Sequence, residues 1–229
     1  SSYSINLKIT GRDSNTPNGW DYGVRFADRD GELRGITTAD SLQRVLDHYA
    51  AADWRAQRVL VTGDLIHDDS EQAYTRFRDF LLPLRLRVHC VPGNHDVRDL
   101  MQPVCGRPPF SYCAYEEIHD WLLVGLDSCV EGKAGGAVSQ DELDRLSDIV
   151  DRSAARHVMA FLHHPPVPMA SAWLDSVGMA NGDEFLERLR TLRRIRAVAF
   201  GHVHQPYDDD YEGMRILATV RGRAQQRKP

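Results

Sequence analysis

Val59-Leu60-Val61-Thr62-Gly63-Asp64 is a short, β-branched apolar run that ends in a glycine and then a carboxylate. Such runs suit strands buried on both faces, and in open α/β sheets ligands bind just beyond the carboxyl ends of the strands. The layout recurs downstream. Val88-His89-Cys90-Val91 leads through Pro92-Gly93 to Asn94-His95-Asp96, and the run 158–162 leads to His163-His164. Ala197-Val198-Ala199-Phe200 leads through Gly201 to His202-Val203-His204. Four strand ends thus deliver side chains that ligate metals. Strands alternating with helices predict an α/β sheet covered by helices.

The 229 residues suffice for a full core, and with no internal repeat or linker they read as one domain over 1–219, followed by a basic tail over 220–229. A formal net charge of -5 argues against nucleic acid as a partner, which requires basic surface to neutralise phosphates. No apolar run approaches the roughly 18 residues of a membrane span, and the start lacks the basic-then-apolar pattern of a signal peptide. Cys90, Cys105, Cys113 and Cys129 are widely spaced with no C-x-x-C, which reads as reduced thiols in a cytoplasmic protein.

Taken in order, 5–10 reads as a first strand, 11–22 as loop and 26–35 as an exposed excursion. Thr38 is placed to cap a helix with Leu42, Val45, Leu46 and Tyr49 on one face, and Ser70 another with Tyr74, Phe77 and Leu81. The segment 98–115 is rich in Pro and Gly, which predicts a loop over the site mouth. The run 121–126 reads as a strand, and Ser139-Gln140-Asp141-Glu142 has the form of a capping box ahead of Leu143, Leu146 and Val150. Pro165, Pro166 and Pro168 forbid helix. Asn181 resembles the start of a helix carrying Phe185, Leu189 and Leu192, and 211–213 reads as a hairpin turn.

A hydrolytic two-metal site needs anionic oxygens to offset ion charge, neutral imidazoles, and a ligand shared by ions about 3.5–4 Å apart. Asp64 suits the shared position because a carboxylate bridges. Asn94 offers a carbonyl oxygen, and His202, His204 and one of His163 or His164 offer nitrogens. In an extended 201–204 segment, His202 and His204 would project to the same side. Iron, manganese and zinc all accept such mixed ligation. His48, His89, His119 and His157 read as ordinary surface or core residues. His67, nearest the site in sequence, is a lesser candidate for touching substrate, and Asp127 for supporting the site by hydrogen bonds.

The ordered blocks Gly63-Asp64, Gly93-Asn94-His95-Asp96, His163-His164-Pro165 and Gly201-His202-Val203-His204 resemble the calcineurin-like metallophosphoesterase superfamily. The flanks Phe26-Ala27-Asp28, Gly63-Asp64-Leu65 to Tyr74 and Ser171-Ala172-Trp173-Leu174-Asp175 are closer still to its bacterial class III cyclic-AMP phosphodiesterases. The resemblance implies a four-layer α/β/β/α sandwich around a centre of two divalent ions, of iron, manganese or zinc. It implies that Asp64 bridges both ions, that Asn94, His163 and His202 complete one site, and that His204 serves the other. It further implies that His95 assists the leaving oxygen, and that Asn94, His95 and His204 meet the substrate. The reaction it implies is hydrolysis of 3′,5′-cyclic AMP to 5′-AMP by a metal-bound hydroxide, in a cytoplasmic protein that pairs as a homodimer. Two alternatives stand beside it: a metal-binding protein with an incomplete second site, and a phosphoesterase of another substrate.

The family's first block, an Asp-x-His after the first strand, has no counterpart here. Tyr22-Gly23-Val24 or Gly11-Arg12-Asp13 fills those positions, which leaves the second ion with Asp64 and His204 unless Asp13 or Asp21 substitutes. After Ala218-Thr219 the family continues with further strands, whereas Val220 to Pro229 is Arg-rich, so an uncovered sheet edge is expected.

Overall fold

The computed structural model describes residues 36–219 together with 28, 30, 32 and 33; the expected first strand, Asp13, Asp21 and the basic tail lie outside them. A two-stranded antiparallel ribbon of β1 (Glu32–Leu33) and β2 (Ile36–Thr37) leads into α1 (Thr38–Ala51). There follow β3 (Arg58–Thr62), α2 (Glu71–Leu81), β4 (Arg87–Val91), α3 (Arg98–Cys105), β5 (Phe110–Tyr112), β6 (Tyr115–Ile118), β7 (Trp121–Gly125) and α4 (Gln140–Arg152). The chain then forms β8 (His157–Leu162), α5 (Ala172–Ser176), α6 (Gly182–Thr191), β9 (Ile195–Phe200), β10 (Asp208–Tyr211) and β11 (Met214–Ala218). Strands β3, β4 and β5 make a parallel sheet of three. The other sheet runs β10-β11-β9-β8-β7-β6, parallel from β11 to β7 and antiparallel at both outer strands.

Strand side chains alternate between faces, and here each alternate set enters a different layer. Val59 and Val61 of β3 pack with Leu42, Tyr74, Phe77 and Met101 of the helices on one side, while Leu60 turns the other way. In the larger sheet Leu122, Val124, Val158, Ala160, Leu162, Val198 and Phe200 pack with Leu143, Leu146, Phe185 and Leu189. The intervening Leu123, Phe161 and Ala199 meet Leu60 and Val91 between the two sheets. Helices, sheet, sheet and helices therefore form the four expected layers. Burial on both faces is also why these strands read as continuous apolar runs.

A polar tie joins the sheets at the end away from Asp64. Glu116 of β6 accepts from Arg58 through both oxygens at 2.6 and 2.7 Å, from Arg87 at 2.7 Å, and lies 2.8 Å from His89 Nε2. His89 Nδ1 in turn lies 2.8 Å from Ser111 Oγ. The Arg58 guanidinium, against the cost of burial, holds the Glu116 carboxyl down at about 2.

Several local expectations need correction. The helix Thr38–Ala51 starts one residue earlier than the Thr38 cap implied, with Thr37 at the cap position and no side-chain bond there. The stretch 98–115 is not a loop: α3 and β5 occupy most of it. Pro103 is tolerated in α3 because it sits on the exposed face of a two-turn helix, while Met101 and Cys105 are buried. Only half of the capping box forms. Ser139 Oγ accepts from Glu142 N at 3.2 Å, but the Glu142 carboxylate accepts from Asp127 N and Arg145 instead. Asn181 stands at the cap position of α6, yet its side chain pairs with both backbone groups of Val138. Ser70 does cap α2, and Glu212 and Gly213, both with positive φ, form the turn between β10 and β11. The outer strand β10 exposes Asp208, Asp209 and Asp210, charges that discourage edge pairing.

Because Glu116 titrates near 2 when folded and near 4.5 when unfolded, its contribution is present above pH 4.5 and is lost as pH falls toward 2. Glu116→Gln is expected to lower unfolding free energy at neutral pH by about 2–3 kcal/mol. Urea titrations across that window should show the variant with a shallower acid loss than the unaltered protein.

Candidate metal centre

The chain turns sharply where β3 ends. Gly63 has φ 89° and Asp64 φ 57°, left-handed values that return the Asp64 carboxylate over the strand end, where it is buried. The loop after β4 crosses it closely. A Cβ on Gly93 would fall 2.2 Å from Asp64 Oδ1, and one on Gly63 would fall 2.5 Å from His163 Nδ1. Only glycines allow the two loops to approach this far.

Asp96 fastens the same crossing. It accepts from Leu65 N at 2.9 Å, Ile66 N at 3.3 Å, Gly93 N at 2.8 Å and Tyr74 Oη at 3.1 Å. Tyr74 Oη also accepts from Val97 N at 2.8 Å. Burial, with the Asp64 charge next in weight, pushes the Asp96 carboxyl up to about 7. His95 N donates to Asp64 Oδ1 at 3.1 Å, which completes the link between the loops.

The larger sheet contributes the imidazoles. His163 follows β8, and its Nδ1 donates to the Thr62 carbonyl at 2.7 Å. That bond leaves Nε2 as the lone-pair nitrogen. Nε2 faces Asn94 Oδ1 at 3.1 Å, His202 Nδ1 at 3.1 Å and Asp64 Oδ1 at 3.4 Å. One proton could serve one of these contacts; a cation serves them all. Ligands about 2.1 Å from a shared ion stand about 3.0–3.4 Å apart across octahedral or tetrahedral edges, so the spacings fit a divalent metal. The donor set of two oxygens and two imidazole nitrogens suits iron, manganese or zinc.

His164 has a different environment. Its Nδ1 lies 2.9 Å from Ser128 Oγ and its Nε2 3.1 Å from the Ala134 carbonyl, so both nitrogens are engaged. Burial first, then His163 and His202, hold its pKa down at about 2 and keep the ring neutral. His164 groups with His163 and His202 within 4.8 Å, but we assign it to the wall because its nitrogens are spent.

Of the residues singled out by sequence, Asp64, Asn94, His163 and His202 converge. The tight histidine group found among the described residues holds neither Asp64 nor His204, although Asp64 Oδ1 comes within 3.4 Å of His163 Nε2. The alternation argument does not apply to 201–204, since the segment is not extended. His202 has φ 66°, His204 φ 52°, and Val203 N donates to Gly201 O at 2.7 Å. His95 is exposed at the mouth, its ring centroid 5.3 Å from that of the exposed His67. Asp127 supports the rim, accepting from Arg98 Nε at 2.6 Å and from Cys129 N at 2.8 Å. Sequence reasoning missed Thr62, Tyr74 and the fastening role of Asp96. Asp96 stood inside a quoted motif, but no spacing reveals that Leu65 and Ile66, 31 and 30 residues upstream, are among its partners.

Residues 37–206 match the family described as calcineurin-like phosphoesterase, and the chain belongs to that family of metal-using hydrolases. Its relatives narrow the class. It is 34% identical over 197 residues to the 3′,5′-cyclic adenosine monophosphate phosphodiesterase CpdA of Pseudomonas aeruginosa, covering 85% of this chain and 71% of that protein. With CpdA of Haemophilus influenzae it shares 32% identity over 195 residues, with the same coverage. Among solved structures, a dimetal phosphatase from Danio rerio superposes with a TM-score of 0.62 at 18% identity, covering 85% of this chain and 84% of that one. The phosphopantetheinyl hydrolase of Mycobacterium tuberculosis gives 0.55 at 14% identity, covering 81% and 88%. These two likenesses concern the fold.

The adjacent histidines are expected to separate on substitution. His163→Ala should lose manganese binding measured by titration calorimetry. His164→Ala should keep the ion stoichiometry but lose about 2–3 kcal/mol of unfolding free energy from its buried hydrogen bonds.

Proposed function

We propose that this protein is a metal-dependent phosphodiesterase that hydrolyses 3′,5′-cyclic AMP to 5′-AMP. The observation that carries the proposal is the approach of Asn94, His202 and Asp64 to His163 Nε2 at ligand spacing, with His95 held through its backbone to Asp64. The names of the relatives support the choice of cyclic AMP among phosphate esters.

In this reading Asp64, Asn94, His163 and His202 would hold one divalent ion, and Asp64 with His204 would hold a second. Divalent cations bound there would supply Lewis acidity and an activated water. The chain's own contribution is placement. Thr62 fixes the His163 tautomer, and Asp96 holds the Asp64 and Asn94 loops in register. Asn94 and His204 border the position of the phosphate. His95, anchored through its backbone to Asp64, carries its ring outward, where a ring N–H can donate to the leaving ribose oxygen. The buried, unpaired thiols of Cys90 and Cys105 suit a reducing compartment such as the cytoplasm.

A second reading, a metal-binding protein holding one ion, draws support from the lack of an Asp-x-His block ahead of Gly63 in the sequence. Metal stoichiometry measured alongside cyclic-AMP turnover in manganese separates the two. Two ions per chain with production of 5′-AMP is expected; one ion and no turnover favours the second reading. Asp64→Ala and Asn94→Ala should each weaken manganese binding by more than roughly 100-fold, beyond the loss that follows removal of a supporting partner. Turnover of bis-p-nitrophenyl phosphate but not of cyclic AMP would point to another phosphate ester.

A further inference from the structure

His67 follows Asp64 by three residues, and the two residues between them turn inward. Leu65 and Ile66 are buried, and both give their backbone N–H groups to the Asp96 carboxylate. His67 is therefore the first exposed side chain after the Asp64 turn, just as His95 is the first after Asn94. The same carboxylate accepts from Gly93 N, at the start of the loop that carries His95. One half-buried carboxylate thus holds the backbone ahead of both imidazoles. Their centroids are 5.3 Å apart with planes inclined at 54°, so the rings adjoin without stacking.

We propose that His67 is a second phosphate-binding side chain of this site, donating a ring N–H to a phosphoryl oxygen while His95 donates to the leaving ester oxygen. The inference rests on the phosphoesterase reading of the centre and adds a specific donor to it. A phosphate ester presents several acceptor oxygens around one phosphorus. Two tilted imidazoles at this separation can each reach a different oxygen at roughly 2.8 Å. The backbone on either side of the two rings is already held by Asp96 and Asp64 before the anion arrives, which limits the reorganisation that binding requires. A surface pair without this role would have no need of backbone positions fixed by a common carboxylate.

The test uses the full, manganese-loaded chain with inorganic phosphate as probe, and in parallel bis-p-nitrophenyl phosphate as substrate. His67→Ala is expected to weaken phosphate binding by roughly tenfold or more and to raise KM by a similar factor, with manganese stoichiometry unchanged. His67→Gln, which keeps an N–H donor, should recover much of the loss. Phosphate binding by His67→Ala equal to that of the unaltered chain overturns the proposal. So does loss of manganese from that variant, or an unaltered loaded chain that binds no phosphate. Because phosphate affinity is read without turnover, a failure of cyclic-AMP hydrolysis would count against the choice of substrate and not against His67.

Discussion

The bond from His163 Nδ1 to the Thr62 carbonyl joins the two halves of this molecule at its functional end. Thr62 ends a strand of the three-stranded sheet, and His163 follows a strand of the six-stranded one. The contact fixes a tautomer and a sheet-to-sheet distance together. The Thr62 side chain adds a second link, its Oγ1 lying 2.6 Å from Thr219 Oγ1, which itself donates to the Phe200 carbonyl. Gly201 passes directly over this junction; a Cβ there would fall 2.5 Å from Thr62 O. The apolar layer of Leu60, Val91, Leu123, Phe161 and Ala199 holds the sheets together without direction, and the Thr62 junction supplies the alignment.

The opposite end of the sandwich is tied by charge. Glu116 accepts from two arginines and contacts a histidine, a set suited to holding strands without presenting open ligand positions. At the Asp64 end the groups that converge all offer lone pairs. A self-satisfied polar cluster and a convergence of lone pairs thus stand at opposite ends of the sandwich. His164 illustrates the same distinction at one residue's remove from His163.

Much of the architecture was legible because each buried strand must be apolar on both faces and must stop at a turn. The runs before Gly63, Gly93, His163 and Gly201 therefore announced the layers and the strand ends from which the candidate site is built. What escaped was side-chain competition and local backbone. Glu142 could have bonded back to its own helix start, but Asp127 N and Arg145 were nearer partners in the folded chain. Pro103 argued for loop, yet a two-turn helix can carry it on an exposed face. An extended 201–204 segment would turn His202 and His204 to the same side, whereas both adopt left-handed conformations that no spacing rule encodes. The choice between His163 and His164 depended on a carbonyl roughly a hundred residues away in sequence. Glu116 sat in a stretch expected to lie next to a loop, so nothing marked it as the meeting point of three basic side chains.

Asp64 and Asn94 come from loops of the smaller sheet, His163 and His202 from loops of the larger. An ion gripped by all four would act as a clasp across the seam, and by mass action it would stabilise only those conformations in which the halves are in register. A slide of one half by even an ångström would spread the jaws beyond bonding range. Occupancy and the mechanical integrity of the sandwich would then rise and fall as one quantity.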